Sequence, residues 1–247
     1  MNPVTIIAPR GLGDTCVSIP CCYHFARQGR KVNLLNQGTV NWVQYLPTLV
    51  PIGTDREGQI IDCGGGFRFH TPWRMLAQVS LRVGVYPLAV PDEPWLARLP
   101  EYAETVGKYG LPADYIAVCP EGSQHNRRVD AWQVAAVAER WPIAVIHHQH
   151  IEDMPGLNLT GQTSIPEMVA LIGAARAVVA VDSGPLHLAG AFGKPLLGTI
   201  GGTLNPFAFC EDYRPSRWLL NNCSWEMPPE DIVAELTLLL SETEGMA

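Results

Sequence analysis

The 247-residue sequence has no apolar run approaching the roughly 18 residues of a membrane-spanning helix, which excludes a helical membrane protein as the expectation. Its opening, MNPVTIIAPRGLGD, lacks a basic segment followed by a long apolar one, so no secretory leader is expected and a cytoplasmic location follows. Positive charge is in short supply. There are 17 Lys and Arg against 24 Asp and Glu, a net charge of −7, which disfavours a general duplex-binding surface and leaves room only for a local basic cleft. Nucleic acid is therefore not the expected partner. Short-period repeats and low-complexity segments are missing. The seven cysteines include no C-x-x-C pair, so they read as buried reduced thiols with no structural zinc site.

What is present is alternation of strands and helices. VTIIAP reads as a strand leading into RGLGD, with a helix over Thr15–Arg27 that stops at Gly29. KVNLL and GQIIDCGGG are further strands, PWRMLAQVSLRVGV is a helix, and PEYAETVGKYGLP is a polar helix ending at Gly110 and Pro112. A second series begins directly afterwards with DYIAVC, AWQVAAVAERW and PIAVIHH. Ser164 with Glu167 three residues on has the form of a capping box, and Pro166 falls in the first turn of the helix that follows. Ile232, Val233, Leu236, Leu239 and Leu240 make one apolar helical face near the C-terminus. Such alternation implies α/β architecture with parallel sheets covered on both faces. We expect two Rossmann-like lobes facing a cleft: residues 1–110, residues 111–227, and a helix over 228–247 packing back on the first lobe.

Ligands of open parallel sheets bind at the carboxyl ends of strands, near helix N-termini. Two loops qualify. In RGLGD, Gly11 and Gly13 begin a dinucleotide fingerprint, but Cys16 holds the third glycine position and Asn33 and Asn36 fall where an acidic residue about 20 positions on is needed. No Gly-Lys-Ser/Thr follows, and the Asp14 carboxylate would repel phosphate. Asp14 is either an N-cap or a general base. In DSGPLH, Asp182 shapes a turn, Ser183 and Gly184 offer a hydroxyl and close backbone approach, and Pro185 starts a helix whose first-turn N–H groups favour an anion. His187 is expected within reach of the same anion, or else is a satisfied histidine. Gly201, Gly202 and Thr203 form a second loop, which together with the first suits a diphosphate.

These residues carry a resemblance. DSGPLHLAGAFGKPLLGTIGGTLNP, preceded by LNLTGQTSIPEMVALIGAARAVVAV, resembles the C-terminal signature of glycosyltransferase family 9, the ADP-heptose–lipopolysaccharide heptosyltransferases and their relatives. GLGDTCVSIP resembles the family's N-terminal Gly-Asp motif. The resemblance implies a GT-B fold with a reduced N-terminal lobe and inverting, metal-independent transfer of a heptose or related sugar. The donor implied is a nucleotide sugar, ADP-linked, and no bound cofactor is needed. Asp14 matches the family's catalytic base, and Asp182, Ser183, Gly184 and His187 match its diphosphate loop. Where the family carries a lysine two residues before a tryptophan, this chain has Asp130 before Trp132. Arg128, or in second place Arg127, is assigned the cationic role.

Further candidates follow from position. Gly13, Ser123 and Glu152 are placed on the donor side, Glu152 toward the ribose. Gly65, Arg68 and His70 in CGGGFRFH are placed on the acceptor side, with an ordinary connection as the alternative. His147, His148 and His150 have no metal-ligand spacing. The acceptor is a glycan or other hydroxyl compound, and a lipid-linked one would bring peripheral membrane contact. Alternatives are a non-catalytic nucleotide-sugar binder, a transferase acting on a nucleobase or a protein, and a GT-B epimerase.

Overall fold

The computed structural model describes residues 2–63, 75–84, 93–202, 213 and 215–244. Within these the chain divides into two compact units, one ending at Ala97 and the other starting at Arg98.

The first unit carries β1 (Val4–Ala8), α1 (Leu12–Arg27), β2 (Val32–Asn36), a 3-10 turn (Trp42–Tyr45), β3 (Gln59–Asp62) and α2 (Met75–Arg82). Its sheet has the order β2-β1-β3, parallel throughout, with Ile6 paired to Leu34 on one side and Ile61 on the other. Every residue of β1 is buried, as expected of a central strand covered on both faces. Helix α1 begins three residues earlier than the sequence suggested. Gly29, at φ +75°, makes the left-handed turn that ends it.

The second unit contains α3 (Tyr102–Lys108), β4 (Ile116–Cys119), α4 (Ala131–Ala138), β5 (Ile143–Val145), β6 (Leu157–Asn158) and α5 (Ile165–Ala174). It continues with β7 (Ala177–Val181), α6 (Gly184–Ala191), β8 (Leu196–Gly201), β9 (Ser216–Asn221), a 3-10 turn (Ser224–Glu226) and α7 (Pro229–Glu244). The strands form one parallel sheet in the order β6-β5-β4-β7-β8-β9. Strands β4, β7 and β8 are buried along their whole length, which accounts for their unbroken apolar and small-residue runs. The capping box at α5 is present: Glu167 Oε2 accepts the Ser164 N–H at 2.8 Å.

Two expectations are corrected here. The compact units part before α3, not at residue 110. Tyr102 of α3 packs edge-on against Phe192, and Lys108 pairs with Glu167, so this helix belongs to the second unit. The C-terminal helix was expected on the first lobe. Its Ile232, Leu236, Leu239 and Leu240 instead join Val134 and Val137 of α4, Val179 of β7 and Leu197 of β8 in the second unit's core. Each such leucine contributes about 1.5–3 kcal/mol by burial. Among the described residues, no helix is long and apolar enough to cross a membrane. The five cysteines 16, 21, 22, 63 and 119 are buried and free, as expected, and Cys223 is half-buried. Burial pushes their thiols up, Cys63 to about 11.

Candidate functional site

The chain leaves β4 for β5 and β6 on one side, then returns to β7 on the other. The β4–β7 seam is thus the point where strand order reverses, the preferred ligand position in an open α/β sheet. The loops that leave these two strands are joined there. Arg127 Nη2 lies 3.0 Å from Asp182 Oδ2, and Nη1 donates to the Asp182 carbonyl at 3.4 Å. The two side chains are 12% and 8% exposed. Arg127 Nε is buried and has no hydrogen-bond partner among the described residues. The approach is tight: a Cβ on Gly122 would stand 2.9 Å from the Asp182 carbonyl.

The loop that delivers Arg127 is closed on itself. Gly122 N–H donates to the Arg127 carbonyl at 2.8 Å and Val129 N–H to the Pro120 carbonyl at 2.8 Å, and Glu121 and Arg128 form a bridge pair. Arg127 is therefore the residue aimed at Asp182, although sequence reasoning gave it second place. Arg128 points elsewhere, with Nε 2.7 Å from Asp130 Oδ1. Asp130, at the family's lysine position, precedes α4 and donates its N–H to Gln133 Oε1 at 2.8 Å.

Beyond β7, Ser183 caps α6 with extended backbone, and Ser183, Gly184 and Pro185 are half-buried, so solvent reaches the helix start. The first-turn N–H groups have no intrahelical acceptors and favour an anion. The Ser183 hydroxyl is already used, donating to the Val181 carbonyl at 3.0 Å. His187 is not at the surface of this cradle. It is buried, with Nδ1 2.9 Å from Tyr213 Oη and Nε2 3.8 Å from Asp182 Oδ1. Burial lowers its pKa, opposed by the Asp182 charge and reinforced by Arg127. The imidazole is thus held neutral behind Asp182. The expectation of a direct contact from His187 to the anion gives way to an indirect one. Tyr213, which sequence reasoning missed, fills the space over Gly190: a Cβ on that glycine would come within 2.3 Å of the ring.

The third wall follows β8. A Cβ on Gly201 would stand 2.0 Å from the Asn126 carbonyl, and Gly202 has φ +113°. Asn126 Nδ2 donates to the Gly201 carbonyl at 3.4 Å, tying the β4 loop to the β8 end. Thr203 lies outside the described residues, as do Gly65, Arg68 and His70 on the acceptor side.

In the first unit, Asp14 occupies the first turn of α1 after the cap residue Gly11. Its Oδ2 accepts the Gly11 N–H at 2.9 Å. Burial raises its pKa and outweighs that hydrogen bond, which lowers it. Oδ1 has no hydrogen-bond partner among the described residues. Gly13, assigned to donor binding, is buried beside it in α1 of the first unit. Ser123 and Glu152 are exposed. His147 Nδ1 lies 3.1 Å from the Gln149 carbonyl, and burial lowers the pKa of the ring. Among the described residues no group of three or more His, Cys, Asp or Glu could hold a metal ion.

The family model described as "Glycosyltransferase family 9 (heptosyltransferase)" matches residues 143–209, the span that runs from β5 past β8. The solved glycosyl transferase family 9 structure from Veillonella parvula aligns over 98% of this chain and 97% of its own, with TM-score 0.74 and 12% identity. Escherichia coli ADP-heptose lps heptosyltransferase II aligns over 98% and 99%, with TM-score 0.66 and 18% identity. E. coli heptosyltransferase WaaC with ADP aligns over 96% and 99%, with TM-score 0.64 and 11% identity. No curated protein matches the sequence. The α/β fold expected from the alternation, and the resemblance read from residues 157–206, are both borne out.

Proposed function

We propose that this chain, with a family 9 block at 143–209 on a fold shared with solved heptosyltransferases, is a glycosyltransferase that moves a sugar from a nucleoside-diphosphate donor to a hydroxyl acceptor. The observation that carries this reading is the buried Arg127–Asp182 pair, which ties the loop after β4 to the turn that leads into α6 on the β4–β7 seam. Two fixed positive features there suit the two phosphates of a leaving diphosphate. ADP is the nucleotide we favour, because the related WaaC structure holds it.

In this reading the first unit supplies the base. Asp14 Oδ1 takes the proton of the acceptor hydroxyl. The acceptor oxygen bonds to the anomeric carbon as the bond from that carbon to the diphosphate oxygen breaks, with inversion. The electron pair leaves on the diphosphate, where Arg127 and the α6 N–H groups meet it; a well-placed donor of this kind contributes about 3 kcal/mol to the barrier. The raised pKa of Asp14 makes it a stronger base than an exposed carboxylate. Asp182 and His187 act through Arg127. We assign no metal to the step, and the expected result is an unchanged rate in EDTA.

A non-catalytic binder is the second reading. The Asp14 bond to Gly11 favours it, because a carboxylate that clamps a helix start needs no catalytic role to explain it. Nucleoside-diphosphate release from sugar nucleotides, measured with an acceptor panel, separates the two. Binding of ADP without any turnover across the panel favours the binder; absence of ADP-dependent thermal stabilisation refutes both.

A further inference from the structure

The strands that carry the cradle at their carboxyl ends have a cavity at their amino ends. It lies between the segment before α3, α3 itself, the segment before β4 and the last turn of α5, all within the second unit. Its volume is about 430 Å³, inside the range of about 300–1,000 Å³ typical of small-molecule sites. Tyr115 immediately precedes β4, and Ala174 ends α5 just before β7. Strand β7 has five residues at about 3.3 Å each, so roughly 16 Å of sheet separates the cavity from Asp182.

Leu99, Val106, Leu111 and Ala174 make its walls aliphatic, and the buried rings of Tyr102 and Tyr115 complete them. The Tyr115 hydroxyl donates to the Leu171 carbonyl, so this ring offers the cavity apolar surface only. The Tyr102 ring is held edge-on against Phe192. One cation belongs to the lining. Arg98 is exposed and pairs with no carboxylate among the described residues. A second cation, Lys194, stands two residues after Phe192; it is half-buried and equally without a carboxylate partner among the described residues. Burial and the nearby Arg98 charge lower its pKa to about 8. Glu101, Glu104 and Asp114, the acids of the flanking segments, are exposed and pair with neither cation. Two mutually repelling cations therefore adjoin an apolar space, in a chain where acids outnumber bases. An anion between them relieves that repulsion, and an aliphatic body attached to it fills the cavity.

We propose that this cavity is a second ligand site, which takes a small molecule with an aliphatic body and one anionic head held by Arg98 and Lys194. The site is separate from the diphosphate cradle and does not depend on the reading of the β4–β7 seam. A sugar is a poor fit, because its hydroxyls would meet the aliphatic walls unpaired. A simple inorganic anion would gain the charges and leave the walls wet. The head is a carboxylate or a phosphate monoester, both of which a guanidinium and an ammonium can share.

The test is calorimetry and ligand-observed saturation-transfer NMR on the full chain, with octanoate, octyl phosphate, 1-octanol and acetate as probes. One octyl anion is expected to bind about tenfold more tightly than 1-octanol, the value of one charge-assisted hydrogen bond, and acetate more weakly than either. Which octyl anion binds better identifies carboxylate or phosphate. Arg98→Gln and Lys194→Gln should each remove the preference over 1-octanol. Gly107→Leu tests the walls. Gly107 lines the cavity in α3, and a Cβ there meets nothing within 4 Å, so the leucine should fill the space and abolish octyl binding without lowering stability in urea. Equal affinity for anion and alcohol, indifference to both charge variants, or undiminished binding in Gly107→Leu overturns the site. Displacement of the octyl anion by ADP also overturns it, because it would put the probe in the cradle. If ADP does not bind while Arg98-dependent octyl binding persists, the second site stands and the diphosphate reading falls.

Discussion

Arg127 and Asp182 should be energetically coupled, and the coupling is measurable without any substrate. Arg127→Met strips the cation from a carboxylate whose side chain is 8% exposed and whose next polar neighbour, His187 Nε2, is 3.8 Å away and held neutral. Breaking a buried ion pair from one side costs about 3–5 kcal/mol. The residual exposure and the histidine favour the lower end, about 3 kcal/mol. Asp182→Asn leaves Arg127 facing an amide oxygen and should cost about 2 kcal/mol. In the double variant no unpaired charge remains, so the loss should stay near about 3 kcal/mol rather than reach the sum, a coupling of about 2 kcal/mol. Urea unfolding followed by both circular dichroism and tryptophan fluorescence gives the three losses. Two probes are needed because two compact units need not unfold in one step. In thermal melts the Arg127→Met loss corresponds to about 6–12 °C. Additive losses, with coupling under about 0.5 kcal/mol, would refute the view that these two loops are pinned by a buried charge pair.

Asp14→Asn should nearly abolish turnover while calorimetric ADP affinity is retained, and unchanged turnover would remove Asp14 from its role. Because burial raises the Asp14 pKa in the folded state, ionising it opposes folding as pH rises through and beyond the ordinary carboxylate range. Asp14→Asn should therefore equal or exceed the wild type in melting temperature at neutral pH, with the difference vanishing in acid. The same raised pKa should move the acid limb of the activity profile above the usual aspartate range. Gly201→Ala, which drives a Cβ to 2.0 Å from the Asn126 carbonyl, should destabilise by about 1–3 kcal/mol and weaken ADP in a thermal-shift titration. Ser164→Ala removes the cap of α5 and should cost about 1 kcal/mol in urea unfolding, with ADP affinity unaffected.

The legible parts of this protein were those specified by near neighbours in sequence. Ser164 and Glu167 announce a helix start because both halves of the box lie within four residues. The run from 178 to 202 reads correctly as strand, turn, helix and strand because each step has its own local signal, down to the left-handed Gly193. What stayed hidden depends on distant chain. Nothing in the string Asn-Arg-Arg-Val says which arginine turns inward; the bridge between Glu121 and Arg128 decides it. The position of His187 was readable, but its burial depends on Tyr213, 26 residues on. The apolar stripe of α7 predicts a buried face without naming what buries it. Strand β9 was passed over because SRWLLN is half-exposed and shows neither alternation nor an unbroken apolar run.

The order of strands has a kinetic side. Neighbours β7 and β8, or β4 and β5, are joined by single helical crossovers. The β4–β7 pair instead brings Ile116 to Ala177, and the whole of α4, β5, β6 and α5 must be accommodated before it closes. Loop closure of that span makes this pairing a slow event in assembling the sheet. The proposed diphosphate cradle straddles that same pair, so neither half alone would form it. In a refolding experiment, competence to bind ADP should emerge late, after most helical signal has returned. It would then serve as a clock for the closing of the sheet's centre.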